Sequence, residues 1–129
     1  MPFRILFLLC VSVWSLQAAK DAPNVIYILA DDLGFGDLSH AGGKAATPHC
    51  DQLAREGMRF IDSHTTSSVC TPTRYGILTG RYNWRSTLKK SVLWGLSKPL
   101  IEPKRLTVAG FLQKHGYHTA VVGKWHVFQ

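Results

Sequence analysis

The chain has 129 residues, 46% of them hydrophobic, with 15 lysines and arginines against 8 aspartates and glutamates and a formal charge of +7 at pH 7. That length fits a single domain with one modest core. The basic excess comes with no recognised nucleic-acid motif, so nucleic acid is not an expected partner.

Arg4 and the amino terminus place positive charge ahead of an almost wholly apolar run over residues 5–16, and Gln17-Ala18-Ala19 offers small residues for cleavage. This is the layout of a secretory signal peptide, assigned to residues 1–18. The run falls short of the roughly 20 residues that a membrane span needs, so no stable membrane anchor is expected. Leu8-Leu9 ahead of Cys10 do not suit lipid attachment, which prefers a small residue there. Export to the periplasm or the extracellular space follows, with residues 24–129 as the folded portion.

Residues 24–30, Asn-Val-Ile-Tyr-Ile-Leu-Ala, form a nearly continuous apolar run with β-branched side chains and read as a buried strand of a parallel sheet. Asp31-Asp32-Leu33-Gly34 ends it in a turn. Asp51 is placed to cap a short helix over 52–56 that Gly57 stops. Residues 58–61 are a short strand candidate. A helix is expected from Cys70 to about Thr79, with Pro72 tolerated in its first turn and Gly80 at its end. Residues 82–104 read as a long ordered excursion with one short strand. A helix over 107–114 ends near Gly116, and 117–122 reads as a second apolar strand. Strand, helices, strand indicates an α/β fold.

Cys10 leaves with the leader, so two cysteines remain. Cys50 and Cys70 are able to pair in an oxidising compartment, but Cys50 also suits a small buried thiol beside a helix, with Cys70 as the functional one. Seven of the lysines and arginines lie between residues 81 and 105. They read as a solvated surface, with attraction of an anionic substrate as the sharper alternative.

Parallel strands would bring Asp31 and Asp32, at the end of the first, to the same sheet edge as Lys124 and His126, just past the second; ligands bind at that edge. Cys70 opens a helix, whose free amides and positive dipole end favour an anion. Carboxylates, cations and a helix amino terminus would then meet at one anionic, metal-bound group.

The stretch Cys70-Thr71-Pro72-Thr73-Arg74-Tyr75-Gly76-Ile77-Leu78-Thr79-Gly80-Arg81 resembles the first sulfatase signature, and Gly116-Tyr117-His118-Thr119-Ala120-Val121-Val122-Gly123-Lys124-Trp125-His126 resembles the second. Asn24-Val25-Ile26 leading to Asp31-Asp32, and Thr47-Pro48 with Asp51, Leu53 and Glu56-Gly57, are also similar to that family. The resemblance implies the amino-terminal part of an alkaline-phosphatase-like sandwich with a mostly parallel central sheet and flanking helices. It implies that Asp31, Asp32 and the modified Cys70 ligate one divalent cation, usually calcium, an oxygen-seeking ion. It further implies that a formylglycine-generating enzyme converts Cys70 to formylglycine. One hydroxyl of the aldehyde hydrate would attack the sulfur of an aryl or carbohydrate sulfate, and the second would expel sulfate afterwards. Arg74 would hold the formylglycine, Lys124 would bind it or the sulfate, and His126 would steady the hydrate or move a proton. In a eukaryote the compartment would be the lysosome.

Thr73 stands where the commonest pattern has serine. Family members are several times longer and take further metal ligands, a second lysine and another histidine from later sequence. The chain is therefore expected to supply one side of a site and to be inactive alone. The readings carried forward are a sulfuric ester hydrolase, a metal-dependent phosphodiesterase or phosphonate hydrolase of the same superfamily, and a non-catalytic secreted fragment.

Overall fold

Every regular element among residues 22–127, the part of the chain described by the computed structural model, is helical. The leader expected over residues 1–18, Cys10 included, lies outside these residues. The chain divides at Asp32 into two units, and Leu33 begins the second.

In the first unit, residues 24–30 form no strand. Val25, Ile26, Tyr27 and Ile28 are all at least 62% exposed. The strands expected at 58–61 and 117–122, and the short one within 82–104, are likewise absent among the described residues, and Val122 is 99% exposed. A β-branched apolar run supplies strand propensity, but a strand forms only when a neighbour takes its N–H and C=O groups.

The second unit begins with a polar knot. A short 3-10 turn, Ser39–Ala41, packs against helix α1, Pro48–Glu56. Pro48 suits the first helical position, where its missing N–H costs nothing. Thr47, not Asp51, is the N-cap, and its side chain makes no capping bond. Asp51 lies one turn inside the helix and faces back to the turn. Its carboxylate accepts from Ser39 Oγ at 2.5 Å, His40 N at 3.1 Å, His40 Nδ1 at 3.0 Å and Thr47 Oγ1 at 3.1 Å. Cys50 is exposed rather than a core thiol, because α1 buries none of its residues.

Helix α2, Cys70–Thr79, is the centre of the unit and matches the expected span. Gly80 ends it with φ +64°, and its N–H returns to the Gly76 carbonyl at 2.8 Å. Thr71, Pro72, Thr73, Tyr75 and Gly76 are buried. Tyr75 is 0% exposed and forms the core with Leu100 and Val127; Leu78, Leu88, Leu93, Ile101 and Trp125 pack around them. The preceding loop lies against the helix through Thr73 Oγ1, which donates to the Ser67 carbonyl at 2.7 Å, and Thr66 Oγ1, which donates to the Pro72 carbonyl at 3.3 Å. Gly76 permits this approach, since a Cβ there would stand 2.2 Å from Thr66 Oγ1.

Helix α3, Val108–Lys114, touches α2. Thr107 caps it, its hydroxyl accepting from Gly110 N at 3.1 Å. Gly116, with φ +86°, turns the chain away.

Four hydrogen bonds, the one from Ser39 foremost, lower the pKa of Asp51 from 3.8 to about 2, against an opposing effect of desolvation. Because the folded pKa is depressed, this contribution is complete above the unfolded pKa and fades as pH falls from about 4 through about 2. The Ser39 and His40 amide resonances are expected to titrate with a midpoint near the folded value; a midpoint at the ordinary carboxyl pKa would show that the knot does not form. Gly76→Ala is expected to destabilise the unit by about 1–3 kcal/mol, measured by denaturant unfolding.

Candidate active site

Cys70 is the first residue of α2, a partly exposed free thiol following Val69 in extended conformation. The first-turn N–H groups and the helix dipole therefore converge beside its side chain. Arg74 lies one turn further on. Its Nη1 donates to the main-chain carbonyl of Lys124, so the guanidinium ties α2 to the segment that follows Gly123. Arg74 is thereby held to the main chain of the segment that carries Lys124 and His126.

The same segment is fixed at two further points. Leu100 N donates to the Val127 carbonyl at 2.9 Å, and Val127 is 0% exposed in the core. His126 Nε2 faces the Leu93 carbonyl at 3.0 Å. A carbonyl only accepts, so Nε2 carries the proton and Nδ1 is the acceptor atom when the ring is neutral. Nδ1 is buried and has no hydrogen-bond partner among the described residues. Lys124 is exposed.

Leu93 joins the two motifs. Its N–H donates to Thr71 Oγ1 at 3.2 Å, beside Cys70, while its carbonyl takes the His126 proton. Neither Thr71 nor Leu93 stands out in the sequence. Leu93 acts through its main chain, which leaves no side-chain signature, and a threonine beside a cysteine has many ordinary uses.

His126 adopts φ +54° and Asp32 φ +61°, two of the three non-glycine residues in left-handed conformation among the described residues. Histidine and aspartate tolerate this region better than most residues, and strained backbone persists where surrounding contacts over-determine it. Asp31 and Asp32 belong to the first unit and are both exposed. Among the described residues no group of three or more His, Cys, Asp or Glu side chains is gathered to hold a metal ion.

The sulfatase family model matches residues 23–129. The chain is 48% identical over 106 residues to an N-acetylgalactosamine-6-O-sulfatase of Bacteroides thetaiotaomicron, covering 81% of this chain and 20% of that protein. It is 43% identical over 111 residues to arylsulfatase A of Bos taurus, covering 85% of this chain and 22% of the relative. A solved structure described under the metabolism of multiple glycosaminoglycans by Bacteroides thetaiotaomicron is 48% identical, with a TM-score of 0.76 over 81% of this chain and 22% of its own. The chain thus spans about a fifth of the length of these relatives.

Thr71→Val keeps the side chain's shape and removes the acceptor for Leu93 N–H. It is expected to cost about 1 kcal/mol in denaturant unfolding and to shift the His126 ring resonances; unchanged His126 resonances would break the link through Leu93.

Proposed function

This chain belongs to the sulfatase family and carries part of its alkaline-phosphatase-like α/β fold, and we propose that it serves hydrolysis of a sulfate monoester through a formylglycine made from Cys70. The observation that carries this reading is the bond from Arg74 to the Lys124 carbonyl. It joins the two sequence motifs at the helix end that opens with Cys70.

A formylglycine hydrate supplies two geminal hydroxyls, one to attack sulfur and one whose deprotonation expels sulfate. The first-turn amides of α2 favour sulfate oxygens, as helix amino termini favour anions generally. The Lys124 ammonium adds a full positive charge, which neutralises the ester's oxygens as the alcohol departs. His126 Nδ1 is the atom proposed to accept and return a proton, with Nε2–H anchored on Leu93 so that the ring keeps one tautomer. Arg74 holds the Lys124 backbone against α2 while this occurs. Asp31 and Asp32 are proposed as two carboxylate ligands of a calcium shell that other groups must complete.

The substrate class is an aryl or carbohydrate sulfate, supported by the names of the relatives. The proposed modifying partner is a formylglycine-generating enzyme, which would meet the chain during export directed by residues 1–18. No helix among the described residues is long and apolar enough to cross a membrane.

Co-expression with a formylglycine-generating enzyme, followed by mass spectrometry of the Cys70 peptide and hydrazide capture, is expected to show an aldehyde at that position and none in Cys70→Ala. A Cys70 that stays a thiol throughout would overturn the reading. Calcium titration of the chain is expected to show no saturable binding tighter than about 1 mM, the weak end for oxygen-ligand sites.

A further inference from the structure

Of the three non-glycine residues with left-handed backbone among those described, two stand on either side of one hydrogen bond. His126, at φ +54°, supplies the ring whose Nε2 donates to the Leu93 carbonyl at 3.0 Å. Ser91, at φ +65°, lies two residues before that carbonyl. Serine lacks the enrichment that asparagine, aspartate and histidine show in this region. Such a conformation persists only where surrounding contacts over-determine it, so its reason lies in what holds the segment.

Those contacts pin the segment at both ends. Upstream, the buried Asn83 donates from Nδ2 to the Leu88 carbonyl at 2.8 Å, and Leu88 N donates to Ser86 Oγ at 3.1 Å. Downstream, Ser97 closes a turn on Trp94, its N and Oγ donating to the Trp94 carbonyl at 3.0 and 2.6 Å. Leu100 N then reaches the carbonyl of Val127, the residue after His126.

Between these anchors Leu93 is engaged on two further sides. Its side chain packs on the core of Tyr75, Leu100 and Val127. Its N–H donates at 3.2 Å to Thr71 Oγ1, on a residue that is 0% exposed. The chain's own residues make all of these contacts.

With both ends held and the Leu93 N–H and side chain committed, the direction of its carbonyl depends on the turn that delivers it. That turn is the one at Ser91. An extended or right-handed Ser91 would rotate the peptide groups that follow and take the carbonyl off its line to His126. We propose that Ser91 is a positioning residue for His126. Its left-handed turn aims the Leu93 carbonyl at Nε2 and so keeps the ring in the tautomer whose Nδ1 is the acceptor. The serine itself touches no reacting atom.

The functional meaning of this strap rests on the role proposed above for His126, but the tautomer is read without turnover. A Cys70 that stays a thiol would overturn the hydrolytic reading and leave the Ser91 assignment standing. A His126 ring in the other tautomer would do the opposite.

Nitrogen-15 NMR of the histidine rings in the 129-residue chain, at about pH 8.5 where histidine is ordinarily neutral, tests it, with the His126 signals assigned from His126→Gln. The parent is expected to show His126 as a single tautomer protonated at Nε2. Ser91→Gly is expected to keep that tautomer and to resist denaturant at least as well as the parent, because glycine takes positive φ without steric cost. Ser91→Val, a β-branched residue that left-handed backbone excludes, is expected to shift the tautomer ratio about fivefold toward Nδ1–H, the ratio that one hydrogen bond sustains. Circular dichroism checks that each variant folds, and the parent and Ser91→Gly decide the matter if Ser91→Val does not. A parent ring that is mixed or protonated at Nδ1 would overturn the proposal. So would a Ser91→Gly chain that loses the tautomer or unfolds more readily than the parent, or a folded Ser91→Val chain with unchanged His126 resonances.

Discussion

The arrangement of the second unit rests on burying one face of α2. Tyr75 and Val127 are fully buried and Leu100 nearly so, and these three side chains form the apolar core among the described residues. Burial of groups this size is worth on the order of 1.5–3 kcal/mol each. That gain draws three separated stretches together, because Tyr75, Leu100 and Val127 belong to the helix, the excursion after it and the second motif. The residue before Val127 is His126 and Lys124 lies two further back. Packing of an apolar valine therefore sets where the polar candidates can lie.

Hydrogen bonds then convert this packing into a specific geometry. Arg74 reaches the Lys124 carbonyl, Leu93 receives the His126 ring, and Leu100 pairs with the Val127 carbonyl. Each partner on the far side is a main-chain group, so the arrangement depends on the backbone course rather than on complementary side chains. His126 accepts left-handed backbone within this set of contacts, a conformation that costs on the order of 1–3 kcal/mol. The ring is held at Nε2 and its second nitrogen is a buried acceptor without a partner among the described residues.

Local signals in the sequence were reliable where the structure is local. Helix α2 and its glycine stop, and α3 with its Thr107 cap, depend on bonds within a few residues of chain. Asp51 shows where local reasoning fails. It has the residue type of an N-cap, but its carboxylate faces Ser39 and His40, and Thr47 opens the helix instead. Cys50 fails for a related reason, since burial of a helix face requires something to pack over it. The strands expected at 24–30 and 117–122 fail more generally. Their composition is suited to a sheet, but the pairing belongs to a neighbour and cannot be read from the strand's own residues. The TM-score of 0.76 to a solved relative, over 81% of this chain, indicates that the matched part shares that relative's fold.

The sequence by itself determined the family and the chemistry-bearing residue types. Cys70, Arg74, Lys124 and His126 stand at motif spacings that a chain can carry without any knowledge of its packing. Tertiary structure alone decided that Arg74 clasps the Lys124 main chain and that Thr71 and His126 meet through Leu93. It alone set Ser91 in a left-handed turn ahead of that link. The division has one physical reason. Residue identity and local propensity are properties of the chain, whereas the placement of main-chain acceptors and burial exist only once distant segments have packed.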